Sequence, residues 1–241
     1  MLNAVVYSMD EISFFIPNQD IFATDSTAFF VIKMKRSAYM KKILVTGFEP
    51  FGGDSRNPSG ESVRMLQANE NTEIRKLILP VSWKRAFPEI EKVWNEWKPD
   101  ALLMVGLAAG SSAIRIERIG INLCGEIADI DGLYPDGSAS PSGEFPIIEN
   151  GNEAFFSTYH HDAILRALKT AEIPAKYSFS AGTYICNYLL YSSLAKRNLE
   201  NSDMKIGFIH LPYADGQKEG VPSMPLETMT QALEIALSEI F

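Results

Sequence analysis

Ala175-Lys-Tyr-Ser-Phe-Ser-Ala-Gly-Thr-Tyr-Ile-Cys-Asn-Tyr-Leu-Leu-Tyr-Ser-Ser-Leu-Ala-Lys196, with Lys205-Ile-Gly-Phe-Ile-His-Leu-Pro212 behind it, decides the fold. Ala175 to Phe179 reads as a short strand, and Ser180-Ala-Gly182 breaks it. From Gly182 to Lys196 the larger residues Tyr184, Ile185, Tyr188, Leu189 and Leu194 fall at helical spacing, and Lys205 to Ile209 is again apolar and strand-like. The span Tyr177 to Ala195 carries no charge and is long enough to cross a bilayer. It also holds Ser178, Ser180, Gly182, Thr183, Asn187, Ser192 and Ser193, too polar a set for that, so it reads as buried strand, turn and helix.

The same alternation extends outward. Ile43 to Thr46, Ile74 to Leu79 and Ala101 to Val105 read as strands, and Ser59 to Ala68, Trp83 to Trp97 and Phe156 to Thr170 as helices. Alternating strands and helices predict an α/β fold: a single domain with an open, mostly parallel, twisted sheet and helices on both faces. At the C-terminal end Leu226, Met229, Leu233, Leu237 and Ile240 form one stripe behind the cap candidate Ser223, which predicts an amphipathic surface helix. Asp129 to Glu149 is rich in glycine and proline and reads as a long loop or hairpin.

Residues 1–39 differ from the rest. They contain no glycine, their apolar residues are interrupted by Asp10, Glu11, Asp20 and Asp25, and their basic cluster Lys33-Met-Lys-Arg36 comes last. That order fits neither a secretory signal nor an anchor. Lys41-Lys-Ile-Leu-Val-Thr-Gly47 has the pattern of a first strand. Two readings of residues 1–39 stay open: an upstream extension, disordered or reflecting a start set too early with Met40 as the true one, or an ordered extra helix or strand. Residues 40–241 read as the functional domain.

The chain of 241 residues carries a net charge of −8, two cysteines and three histidines. Phosphate binding needs a dense basic face, so nucleic acid and anionic membrane are disfavoured as partners. Cys124 and Cys186 lack the spacing of a zinc or redox pair, so no metal and no cofactor is expected, and reduced cysteines suit a cytoplasmic setting.

Few residues remain for chemistry. His210 ends an apolar strand at Leu211-Pro212, and in open α/β sheets ligands gather at the carboxyl ends of strands. Cys186 falls in the first turn of a helix, where free amides and the positive dipole end favour thiolate. A helix from Tyr184 to Lys196 descends roughly 20 Å at about 1.5 Å per residue. The strand to His210 climbs back about as far at roughly 3.3 Å per residue. Both side chains therefore belong to one sheet edge, the minimum for nucleophilic catalysis. In Ala113-Ile-Arg-Ile-Glu-Arg-Ile-Gly-Ile-Asn122, Glu117 is either an orienting carboxylate for the imidazole or an outward partner of Arg115 or Arg118, and spacing does not decide between these.

Thr46-Gly-Phe-Glu-Pro-Phe-Gly-Gly53 ends the first strand in a glycine-rich turn without the residues of a phosphate loop. Phe48 and Phe51 either wall an apolar pocket beside the sheet edge or pack in the core. His160 and His161 are adjacent, point different ways on a helix and make a poor joint metal site. Cys124 has neither a helix start nor a nearby base in sequence.

Four segments together resemble the pyroglutamyl peptidase I (pyrrolidone-carboxylate peptidase) family of cysteine peptidases: Thr46 to Gly53 with Asn57-Pro58, Glu117-Arg-Ile-Gly-Ile-Asn122, Ser180-Ala-Gly-Thr-Tyr-Ile-Cys-Asn187 and Gly207-Phe-Ile-His-Leu-Pro-Tyr213. The resemblance runs from about residue 41 to the C-terminus and implies a phosphorylase/hydrolase-like fold. It further implies removal of N-terminal pyroglutamyl (5-oxoproline) residues from peptides through a thioester acyl-enzyme, with the family's triad on Cys186, His210 and Glu117. Phe48, Phe51 and Tyr184 match aromatics of the lactam pocket, Leu107 lies in the loop whose backbone binds the lactam, and Asn57 joins the substrate-binding set. A homo-oligomer, dimer or tetramer, is the family expectation. Two departures stand out. Ser111 replaces a common arginine, and Cys124-Gly-Glu-Ile-Ala-Asp-Ile130 replaces a run that usually carries one. The altered Cys124–Ile130 loop motivates the alternative of a diverged, non-catalytic lactam-binding or peptide-binding homologue. A nucleoside-phosphorylase-like enzyme of similar architecture lacks its phosphate-binding arginines here.

Overall fold

The computed structural model describes residues 40–141 and 143–241; the readings of residues 1–39 lie outside the described residues. The strands are β1 (Lys41–Phe48), β2 (Thr72–Leu79), β3 (Ala101–Leu107), β4 (Ile114–Glu117), β5 (Ile119–Ile121), β6 (Ala154–Phe156), β7 (Ala175–Ser178), β8 (Lys205–Leu211), β9 (Tyr213–Ala214) and β10 (Ser223–Met224). The helices are α1 (Pro58–Met65), α2 (Ala86–Trp97), α3 (His161–Thr170), α4 (Ile185–Leu199) and α5 (Leu226–Ser238).

Six strands form the main sheet in the order β2-β1-β3-β8-β4-β7. All its neighbours run parallel except β4 against β8. Strand side chains alternate between faces, so a sheet covered on both sides reads as nearly continuous apolar runs. On one face Leu44, Leu102, Met104, Ile206 and Phe208 pack against α2 and α4 through Ile90, Trp94, Ile185 and Leu189. On the other, Ile43, Val45, Leu103, Val105 and Ile209 meet Val63 of α1, Ile164 and Leu168 of α3, and Met229 and Leu233 of α5. The chain leaves β1 to one side for β2 and returns past it to β3. The crevice at the carboxyl ends of β1 and β3 is therefore the switch point where ligands bind in such sheets.

Local chemistry sets the start of α1 at that crevice. Asn57 caps the helix by accepting from the Ser59 N–H, and Pro58 takes the first helical position, where a missing N–H costs nothing. A Cβ on Gly60 would lie 2.3 Å from the Phe48 carbonyl oxygen, so only glycine lets α1 begin this close to the end of β1.

The helix expected from Gly182 starts at Ile185 and the one expected to reach Ala68 ends at Met65, and three further boundaries move for identifiable reasons. The helix expected from Phe156 starts at His161, because Ala154–Phe156 pair with β5 and the Ser157 and Thr158 amides bond Arg118 and Ile206. Ser223 is no cap: it pairs with Tyr213 in a small sheet, and Pro225 stands at the helix start without a side-chain cap. The helix expected from Trp83 starts at Ala86, since the Trp83 N–H goes to the Asp129 carboxylate. Asp129 to Glu149 is a loop, pinned where Asp129 accepts the Asp131 and Leu133 amides. Among the described residues no helix is long and apolar enough to cross a membrane.

Candidate active site

The site is assembled on three neighbouring strands. Gly106 on β3 lies opposite His210 on β8. A Cβ at Gly106 would sit 3.1 Å from the Cys186 Sγ and 2.9 Å from the Phe208 ring, so the sulfur rests over a bare glycine beside the histidine. On the other side of β8, antiparallel β4 sets Arg115 opposite His210 and Glu117 opposite Phe208. Glu117 is thus a diagonal, same-face neighbour of His210. Its Oε1 lies 2.8 Å from His210 Nδ1, which leaves Nε2 free of the carboxylate. The Phe208 ring, 4.6 Å from the imidazole between centroids, backs it.

Glu117 is fully buried and faces both groups that spacing left open, His210 and Arg115. Its Oε1 is shared, with Arg115 Nε at 3.5 Å, and its Oε2 has no protein hydrogen-bond partner among the described residues. Arg118 turns elsewhere, over the Tyr177 ring at 5.1 Å.

Cys186 occupies the second position of α4. Tyr184, in extended conformation, precedes the helix without a side-chain cap, and the first helical bond runs from the Tyr188 N–H to the Tyr184 carbonyl. The amides of the first turn therefore face the sulfur side without helical partners. Here the expectation of a favoured thiolate needs correcting. Burial, then the nearby Glu117 carboxylate, push the Cys186 thiol up to about 12, outweighing the pull of its own backbone N–H. The thiol needs a base to take its proton. Cys124 is also pushed up to about 12 by burial.

A small cleft opens beside the sulfur, lined by Phe48, Phe51, Asn57, Val81, Leu107, Tyr184, Ile185 and Cys186. Every expected pocket residue lies there. Asn57 is committed structurally as well: its Oδ1 accepts from Ser59 and its Nδ2 donates to the Glu49 carbonyl, which holds the Phe48–Phe51 turn onto α1. The Tyr184 hydroxyl donates to the Ala128 carbonyl at 3.0 Å, and its ring meets Trp83 edge-on. Trp83 in turn donates its indole N–H to the Ile127 carbonyl. The divergent Cys124–Ile130 segment is thereby tied to the cleft wall. Ser111, the other departure, donates to the Ala113 carbonyl within its own turn.

Sequence reasoning missed Val81, Ile185 and Gly106. Only Gly106 carried a signal, since glycine inside an apolar strand marks a close approach. His160 and His161 do not combine: His160 precedes α3 without a side-chain capping bond, and His161, its first residue, contacts Ser157. Among the described residues no group of three His, Cys, Asp or Glu side chains is placed to hold a metal ion.

The family model described as pyroglutamyl peptidase matches residues 41–241. The chain belongs to the pyroglutamyl peptidase family. It is 38% identical over 208 residues to the pyrrolidone-carboxylate peptidase of Thermococcus litoralis, covering 82% of this chain and 92% of the relative. It is 40% identical over 204 residues to that of Lactobacillus johnsonii, covering 83% and 92%. The solved pyrrolidone carboxyl peptidase of Thermococcus litoralis superposes with a TM-score of 0.77 at 37% identity, covering 83% of this chain and 93% of that one. Pyroglutamyl peptidase I of Bacillus amyloliquefaciens superposes at 0.76 with 33% identity, covering 83% and 94%. The fold is thus shared with solved pyroglutamyl peptidases.

Proposed function

We propose that this chain is a cysteine-type pyroglutamyl peptidase that removes N-terminal pyroglutamyl residues from peptides, with residues 40–241 as the catalytic unit. The observation that carries the reading is the line Cys186, His210, Glu117 beside an apolar cleft. The comparisons favour activity over the non-catalytic alternative. A pyroglutamyl group is a small neutral lactam. It suits aromatic walls such as Phe48 and Phe51 with backbone N–H and C=O groups near Leu107, and needs no carboxylate for an α-amine.

In this reading His210 takes the Sγ proton as the sulfur attacks the pyroglutamyl carbonyl, and first-turn amides of α4 hold the oxyanion. The imidazolium protonates the leaving amine. Water, deprotonated by His210, then cleaves the thioester and restores the thiol. Glu117 fixes the Nδ1–H tautomer and stabilises the imidazolium as it forms, which matters because the thiol is not ionised beforehand. Tyr184 and Asn57 shape the cleft. A cytoplasmic location, suggested by the two cysteines without a disulfide scaffold, and a homo-oligomeric state, dimer or tetramer, suggested by the family resemblance, complete the proposal.

Hydrolysis of a pyroglutamyl fluorogenic amide tests it. Purified wild type turns over, and Cys186→Ala loses activity by at least about a thousandfold while keeping its fold. A folded wild type without turnover rejects the activity; an active Cys186→Ala rejects the nucleophile.

A further inference from the structure

We propose that Arg115 is a positioning residue of this site, holding the Glu117 carboxylate against His210 and tying it to the turn that carries the nucleophile. The proposal rests on the reading of Cys186, His210 and Glu117 as the catalytic line.

One guanidinium joins three segments. Its Nε lies 3.5 Å from Glu117 Oε1, the same oxygen that faces His210 Nδ1. Its Nη2 donates to Ser178 Oγ at 2.7 Å, at the end of β7, and to the Ser180 carbonyl at 3.0 Å. Ser180 Oγ in turn accepts the Gly182 N–H at 3.2 Å, closing the turn that leads to Tyr184 and α4. The antiparallel register of β4 makes this possible, because it places Arg115 opposite His210 on the face that carries Glu117. A planar fork presents its donors in fixed, divergent directions, whereas an ammonium is a compact point charge on a flexible stem.

The second ground is electrostatic. Glu117 is fully buried, with Oε2 lacking a protein hydrogen bond among the described residues, and a buried carboxylate is costly unless paired. His210 supplies a full charge only when protonated; Arg115 supplies one permanently. The titratable and charged groups around Glu117 are His210 from β8, Cys186 from α4 and Arg115 from its own strand, with neutral Ser178 and Ser180 from β7 and its turn. Arg118 is turned to Tyr177. A positive charge here favours the thiolate and limits how strongly Glu117 stabilises the imidazolium. Its removal raises the pH at which the thiol proton leaves and the pH at which the imidazolium proton is lost.

Profiles of kcat/KM against pH for wild type, Arg115→Ala, Arg115→Gln and Arg115→Lys test this, with circular dichroism confirming the fold of each. In the Ala and Gln variants both limbs move to higher pH, by about half to one unit, and the optimum falls about tenfold. Lys returns the limbs toward their wild-type positions and recovers only part of the rate. An active wild type with unshifted limbs in folded Ala and Gln variants overturns this proposal alone. A wild type without turnover overturns the catalytic reading and this proposal with it. If the Ala and Gln variants do not fold, Arg115→Lys decides: wild-type rate and limbs overturn the role of the fork, and wild-type limbs at reduced rate support it.

Discussion

Two concave regions of this molecule differ in a way that bears on where function lies. The larger one, at the start of α3, is lined by Arg118, Tyr159, His160, His161, Asp162, Ala163 and Arg166 and is rich in ionisable groups. The smaller, beside Cys186, is mostly apolar. In the larger region most polar groups answer one another, although the buried Arg118 Nε has no hydrogen-bond partner among the described residues. Ser157 Oγ donates to the Glu117 carbonyl, so the His161 Nε2–H must donate to Ser157. Tyr177 donates to Asp162, and Arg118 covers the Tyr177 ring. Burial, then Arg118, pulls His161 down to about 4, so it is neutral near pH 7. In the smaller region the groups converge without cancelling: a protonated thiol over Gly106, an imidazole beside it, and a carboxylate with one oxygen unmatched. Chemistry follows unspent polar groups against apolar walls, not the size of a hollow or its count of histidines.

The largest effect that sharpens this contrast is expected from Glu117→Gln. The amide keeps the shape but cannot stabilise an imidazolium, and it offers His210 Nδ1 an ambiguous partner. We expect kcat to fall by about a hundredfold to ten-thousandfold with KM changed little. A loss confined to KM would place Glu117 in substrate binding instead. Next comes Gly106→Ala. The added methyl would press on the sulfur at 3.1 Å and on two Phe208 ring carbons at 2.9 Å. Displacement of a reacting atom by about 1 Å costs up to about a hundredfold, and overpacking costs about 1–3 kcal/mol of stability. Steady-state kinetics and thermal melts separate these terms. A stability loss at full kcat would show that the sulfur finds its place without the glycine.

The legibility of these regions follows from the kind of information each needs. Alternating apolar strands and periodic helices report burial, which is a property of each segment by itself; this made the parallel sheet and the shared edge of Cys186 and His210 readable. Register is a property of two segments. Nothing in Ala113 to Asn122 says that β4 runs antiparallel to β8, yet that pairing turns Glu117 inward to His210 rather than out to solvent. The resemblance supplied the role; the chain's own pattern did not. Boundaries failed where tertiary bonds captured a helix start, as when the Ser157 and Thr158 amides were taken by Arg118 and Ile206. The thiol was misjudged for a related reason. Helix position is local and visible, whereas the surroundings of the Cys186 sulfur, with Gly106 of β3 beneath it and the Glu117 carboxylate of β4 nearby, come from distant segments.

The smallest effect is expected where ionisable groups are most numerous. His161→Gln removes a histidine whose folded pKa, about 4, lies below its ordinary 6.5. The unfolded chain therefore binds a proton between those values that the folded chain does not. Wild-type stability rises with pH through this window, is fully present above about 6.5, and falls away toward about 4. Gln has nothing to titrate, so the variant's melting temperature should decline less between pH 7 and pH 5 than that of wild type. At pH 7 it loses about 1 kcal/mol with the Ser157 hydrogen bond, unless its own amide restores it. Peptidase activity should stay within about threefold, because His161 reaches Glu117 through Ser157 at its backbone carbonyl and not at its carboxylate. Parallel melting curves against pH would remove His161 as the source of the acid sensitivity. A large loss of kcat would join the two regions into one site and end the contrast between them.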